Sequence, residues 1–520
     1  MSRLRNLSAA LAGLLVLGAC GSRVSHDRLA ASLGAISATS PAVAVDAASA
    51  PVGSEPSGGA LPTEAAAGLV GVSPAGSAGA GISTPGTPRT ATGAAATVQS
   101  PTTGAVAGPG RPGSTAAAAT GGSVAPGQPA GVQAPTAPGG AQQELVLGSF
   151  GTGSGPIGAQ VAAIPPAVRA WAAEVSARGG LGGHPVRVIF GDDGADPSRA
   201  LSVVRRMVEV DGVVAFVATY SVTTMDAVAP YLESRGIPVI GATGGSAVED
   251  HSPVIFNPTL GADHGIAWSY LLTVSAQTDK KKLSVLYCRE ASTCTNQFDR
   301  VRELAPRVGL SVVHSAQISI VQPDFTAEVI AARNAGAEVV VAVMDAQSMT
   351  RVISSAQRQS WKPVFSATHN INTARFRSSG VDLDGTLAAS ATVPYTTSTK
   401  LAPYLAAMKR HSPEGEIGGY GSSAWAHLQL VETLGSAWSK PQPTSADIVA
   451  ALHAVRNESL GGLIVPISFN PGPHAAVNLC VVPLRYEDGT FRPAGGGDGT
   501  FACPPGYVAG DPAASQGAVD

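Results

Sequence analysis

Residues 212–247, GVVAFVATYSVTTMDAVAPYLESRGIPVIGATGGSA, concentrate the groups best suited to hold a small polar ligand. Thr219, Tyr220, Ser221, Thr223 and Thr224 follow one apolar, β-branched run, 213–218. Gly241-Ala242-Thr243-Gly244-Gly245-Ser246 follows a second, 237–240. Hydroxyls, strand-end amides and helix N-termini together donate hydrogen bonds, which suits a carboxylate or another strongly polar group. The same residue types also make ordinary βα turns and N-caps. Two successive strand ends built alike favour a site.

Other motifs divide between chemistry and punctuation. Gly153-Ser154-Gly155-Pro156-Ile157-Gly158 matches G-x-G-x-x-G after a strand, with Asp192 placed as a ribose-binding acid would be. Pro156 removes an amide from such a phosphate cradle, so a Gly-rich lip carrying Ser154 over a cleft is the preferred reading, ahead of a dinucleotide enzyme. No G-x-S-x-G elbow occurs, since Gly419-Tyr420-Gly421-Ser422-Ser423 has the wrong spacing. The histidines are scattered, and Asp192 and Asp193 are neighbours that point apart on a strand end. No catalytic constellation emerges, and no enzyme activity, cofactor or metal is expected. Past the apolar run 339–344 stand Asp345 and Gln347; past 365–367 stand His369 and Asn370; past 286–288 stand Arg289 and Glu290. An acid in Asp345's position also serves as a helix cap.

The elements that must carry these residues alternate. Strands are expected at 145–150, 186–190, 213–218, 237–240, 282–288, 310–317, 338–344 and 363–367. Helices are expected between them, at 198–210, 225–235, 262–276, 296–307, 325–335 and 348–359, and again at 401–411, 422–438 and 446–455. A hairpin is expected over 477–501, turning at Glu487-Asp488-Gly489. Unbroken apolar strands are those of a parallel sheet covered on both faces. The pattern gives an α/β fold, two doubly wound lobes with a cleft between them, where strand C-termini face a ligand. Lobe 1 spans about 144–259 and 393–466, lobe 2 about 260–392 and 467–508, and 509–520 is a flexible tail.

The N-terminal part reads differently. Arg3 and Arg5 precede the apolar run 7–17, too short for a bilayer anchor and right for a signal peptide covering 1–19. It ends Leu17-Gly18-Ala19-Cys20, which resembles a lipoprotein lipobox and implies lipidation of Cys20. From 20 to 143 the chain is Ala, Gly, Pro, Ser and Thr, unable to bury enough apolar surface to order itself. About 120 such residues span roughly 60 Å as a flexible tether. Beyond Cys20 four cysteines remain, Cys288, Cys294, Cys480 and Cys503, an even number that reads as two disulfides in an exported chain. Three connectivities are possible, and the local one, Cys288–Cys294 with Cys480–Cys503, is the simplest. A net charge of -3 gives no sign of a polyanion partner, so nucleic acid is not expected.

In order, the lipobox, tether, GSFGTGSGPIG, GGLGGHPVRVIFGDDGADPSRA, GIPVIGATGGSA and AQRQSWKPVFSA resemble the leucine/isoleucine/valine-binding protein family. These are substrate-binding proteins of ABC importers with the type 1 periplasmic-binding fold, and the resemblance covers about 144–506. It implies two lobes joined by three crossovers, a monomer anchored on the extracytoplasmic face of the membrane, a small-molecule ligand and an ABC permease as partner. It places a ligand carboxylate on Ser221 with Thr223, and on Ala242, Thr243, Gly244 and Ser246. The family's second-lobe tyrosine falls near Ala346 or Gln347, and its ammonium-binding glutamate near Thr368 or His369. Neither matches, which leaves Asp345 to meet an ammonium. A ligand-sensing module with the same fold and no transport role is the rival expectation.

Overall fold

The computed structural model describes residues 142–511 apart from 244, 263 and 472–477. The signal peptide, Cys20, nearly all of the tether, Gly244 and the tail beyond 511 therefore lie outside the described residues.

The first lobe is built on a sheet of five parallel strands, β1 (Leu145–Gly151), β2 (Val186–Asp192), β3 (Ala215–Thr219), β4 (Val239–Ala242) and β5 (Ile255–Phe256), in the order β2-β1-β3-β4-β5. β3 is buried along its whole length, as its unbroken apolar run requires. The second lobe carries β6 (Lys282–Cys288), β7 (Ser311–Ile318), β8 (Val339–Val343), β9 (Val364–Ala367), β10 (Leu387–Ser390), β11 (Val482–Glu487) and β12 (Thr490–Pro493), ordered β12-β11-β10-β9-β8-β6-β7. Its first five strands are parallel, and the β11–β12 hairpin closes one edge antiparallel. Asp488 and Gly489, both at positive φ, form the hairpin's two-residue turn.

The crossovers follow from which core each segment joins. After β5 the chain passes through Asn257–Leu260 into the second lobe, returns after β10, and packs the helices Ala402–His411, Gly419–Thr433 and Ser445–His453 on the first sheet. Phe469 still lies in the first lobe's core and Leu479 in the second's, so the third crossover runs between them. The expected two doubly wound α/β lobes are present, each with its own core on both faces of its sheet.

Three local differences have physical reasons. The strand β10, Leu-Ala-Ala-Ser, has little intrinsic β preference, yet all four residues are buried and paired on both sides. The helix expected over 422–438 begins earlier, at Gly419, and breaks at Leu434 before a short turn Gly435–Trp438. Gly435 weakens helix continuity there, and the Trp438 indole donates back to the Val431 carbonyl at 2.7 Å. The hairpin is shorter than 477–501, because Val481 pairs instead with Ala502 beside a disulfide. Among the described residues no helix is long and apolar enough to cross a membrane.

The disulfides are Cys288–Cys294 and Cys480–Cys503, the local pairing among the three possible. They close loops with sequence separations of 6 and 23. Loop-closure entropy makes the longer link the more stabilising, by about 3 kcal/mol against about 2. Denaturant unfolding of the Cys480→Ser/Cys503→Ser and Cys288→Ser/Cys294→Ser variants is expected to rank them in that order. The reverse ranking refutes the entropic account.

Candidate functional site

Strand C-termini of both sheets converge on one cavity of about 90 Å³. The first lobe contributes Val222 beyond β3 and Ala242, Thr243 and Gly245 at the end of β4. The second contributes Cys288, Glu290 and Cys294 after β6, Val343, Met344 and Asp345 after β8, and Thr368, His369 and Asn370 after β9. Leu260 and Ala262 from the first crossover, Ile266 and Tyr270 from the helix His264–Gln277, and Tyr420 and Ser423 from Gly419–Thr433 complete it. This is the crevice that parallel sheets create beyond their carboxyl ends.

His369 is the central polar group. Only 7% of it is exposed, its ring meets Tyr420 edge-on at 4.3 Å, and neither ring nitrogen has a partner. Burial pushes its pKa down to about 4, so the ring is neutral at physiological pH. Behind it His427 is pushed to about 3 by burial and by His369, and its Nε2 lies 2.8 Å from the Thr259 hydroxyl. Burial raises the Tyr270 and Tyr420 hydroxyls well above their usual range, so both stay protonated. Asn370 is fixed by donating to the Met344 carbonyl and accepting from Thr368, each at 3.0 Å.

The other expected residues occupy varied places. Ala242, Thr243, Asp345 and His369 line the cavity, and Gln347 lines a neighbouring depression shared with Asp345. Ser221 is buried behind the wall, where its hydroxyl meets Thr224 at 2.5 Å and Thr224 donates to Asp193. The Thr223 hydroxyl is buried and unpartnered, but Thr223 does not line the cavity. Ser246 donates to Asp226 at 2.5 Å. Ser154 is exposed on the Gly-rich lip and bonds Asp192. Asp192 also accepts the Gly153 amide at 2.9 Å, so a carboxylate already occupies an amide that a phosphate would need there.

Asp345 serves its own helix. Its carboxylate accepts the amides of Gln347 at 2.9 Å and Ser348 at 3.0 Å, and the Ser348 hydroxyl, as N-cap of Ala346–Arg358. Glu290 is held similarly: burial pushes its pKa up, but the Ser319 hydroxyl and the Ile320 and Arg289 amides outweigh that and hold it low. An Asp345→Ala variant is expected to lose about 1 kcal/mol of stability, whereas Asp345→Asn, itself a good cap, loses little. Equal melting temperatures for Asp345→Ala and wild type would remove the capping role.

Sequence reasoning missed Glu249, Tyr270, Tyr420 and Ser423. Tyr420 and Ser423 lie in the very stretch set aside for failing a hydrolase spacing. Only the knowledge that Gly419–Thr433 crosses the cleft gives them meaning. Tyr270 sits inside a helix whose apolar residues run all round it, which hides a cleft-facing side chain.

Residues 144–490 match the family model described as periplasmic binding protein. No curated relative matches the sequence. Among solved structures, a possible leucine/isoleucine/valine-binding protein from Rhodopirellula baltica aligns with a TM-score of 0.60 at 18% identity, covering 69% of this chain and 98% of that one. A branched-chain amino acid ABC transporter protein from Thermus thermophilus with bound valine gives 0.60 at 18% identity, covering 68% and 96%. A solute-binding protein of an R. palustris ABC transporter in complex with benzoate gives 0.58 at 14% identity, covering 70% and 98%. The family match over two thirds of the chain, with two α/β lobes around one cavity, agrees with the resemblance read from motif order. The chain belongs to the periplasmic binding protein family and has its type 1 fold.

Proposed function

We propose that this chain is an extracytoplasmic solute-binding lipoprotein of an ABC importer, which closes on a small polar ligand and presents it to a permease without chemical change. The observation that carries the reading is the cavity lined by strand ends of both lobes, the arrangement in which lobe closure can bury a ligand. Valine and benzoate in two neighbours of this fold, both from ABC transporters, support the substrate scale. In this reading Ala242, Thr243 and His369 contact the ligand together with Tyr270, Tyr420 and Ser423. Ser221 and Thr223 back the wall, and Asp345 positions the helix beside it.

Cys20 follows the apolar segment at the position lipobox processing needs, and the 20–143 tether would hold the domain away from the membrane. Cys20→Ala is expected to release mature protein into the medium or to retain the uncleaved signal. Fractionation with membranes unchanged after signal removal would defeat the anchor. The binding role is tested by mass spectrometry of small molecules freed on denaturing the purified protein, followed by calorimetry with the molecule identified. A protein that co-purifies with no small molecule, and that no member of a metabolite library stabilises, is not a solute-binding protein.

A further inference from the structure

The polar atoms of the cavity that remain open to a ligand are uncharged. Among the described lining residues stand Glu249, Glu290 and Asp345 but neither lysine nor arginine, so a free carboxylate would meet like charge with no cation to balance it. An ammonium fares no better. Asp345 already accepts three donors, Glu290 is bonded by Ser319 and two backbone amides, and Glu249 is likewise engaged within the chain. The Ser221 hydroxyl, expected to bind a carboxylate, is tied to Thr224.

What stays open is His369, with both ring nitrogens unpartnered, and Ser423, 2% exposed with an unpartnered hydroxyl. Buried polar groups of this kind are nearly always satisfied in the working state. A neutral imidazole needs one donor and one acceptor opposite it, and a hydroxyl can take either role. Val222, Leu260, Ile266, Ile320 and Met344 form the apolar part of the wall.

We infer that the cavity selects a small uncharged ligand with an apolar body and a carboxamide-type group, which both donates and accepts, held by His369 and Ser423. This rests on the solute-binding reading above and narrows its ligand. Burial, which keeps His369 neutral, keeps it from acting as a cation toward carboxylates.

The test is calorimetry on the full-length mature protein with isovaleramide, isovalerate, isoamylamine and leucine, which share a branched apolar body and differ in charge. Isovaleramide is expected to bind at least about 10-fold more tightly than the other three. That preference should fall about 10-fold in Ser423→Ala and in His369→Phe, the scale of one lost neutral hydrogen bond. Ser423→Ala removes one oxygen, so its melting curve establishes folding independently of the bulkier change. If leucine, isovalerate or isoamylamine binds as tightly as the amide, the neutral-ligand inference is overturned while solute binding stands. It is also overturned if no member of the series binds, or if amide affinity is unchanged in both variants. Whether the cleft binds any solute is decided separately by the co-purified molecule.

Discussion

Acidification from pH 6.5 to pH 4 is expected to remove about 5 kcal/mol of folding stability through two buried histidines alone. His369 and His427 have pKa values lowered to about 4 and about 3, against 6.5 for an unperturbed histidine. In both cases burial is the main cause, since nothing nearby compensates a desolvated imidazolium. The folded state therefore binds fewer protons than the unfolded state throughout the interval between those values. Stability is fully present above pH 6.5 and is lost as pH falls, by about 1.4 kcal/mol per pH unit for each ring while it titrates only in the unfolded chain. Domains of this kind are stable by about 5–15 kcal/mol, so the loss is a large share of the total. Urea unfolding at half-unit pH steps should show a slope of about 2.7 kcal/mol per unit near pH 5, and His369→Phe should halve it. A stability that is flat between pH 6.5 and 4.5 contradicts neutral burial of these rings.

Much of the fold was legible because its strands are apolar throughout and its helices periodic. Sequences such as Val339–Val343 admit few alternatives, and their alternation with helices already implies parallel sheets. β10 was not legible, because its Leu-Ala-Ala-Ser carries no strand signal and is held by pairing with β9 and β11. The two-residue β5 was too short to signal anything.

The candidate site was legible in position more than in chemistry. Strand ends after β4, β8 and β9 do face one cavity, and Ala242, Thr243, Asp345 and His369 were found by that rule. Which atoms remain open there depends on partners distant in sequence. Asp345 could be read as a ligand-binding acid or as a cap, and only the Gln347 and Ser348 amides show that its carboxylate is used by the helix. Ser221 is tied through Thr224 to Asp193, which follows β2 some thirty residues earlier. Conversely, Ser423 matters because a helix from the return segment crosses the cleft, and no local pattern records that.

Gly241→Ala is expected to cost about 3 kcal/mol or more, and to loosen the ligand cavity with it. The residue closes the buried part of β4 at φ +81, a left-handed conformation that a side chain adopts at a cost of about 1 kcal/mol. Crowding costs more. A Cβ at this position would lie 2.0 Å from Cγ and 2.2 Å from Nδ1 of His427, which is fully buried and held through its Nε2 by Thr259. His427 has no solvent side to retreat to, so the helix Gly419–Thr433 or the strand must shift, and overpacking of this kind costs about 1–3 kcal/mol more. Gly236 gives the control: it caps its helix at φ +63, yet a Cβ there meets nothing within 4 Å. Gly236→Ala should therefore show the conformational cost alone, about 1 kcal/mol. The excess at Gly241 falls on Ala242, Thr243, Thr259 and Ser423, all of which line the cavity, so ligand affinity should drop in Gly241→Ala and hold in Gly236→Ala. Equal destabilisation of the two variants in urea would mean that the His427 ring yields freely and that the packing behind the cavity is not what fixes its shape.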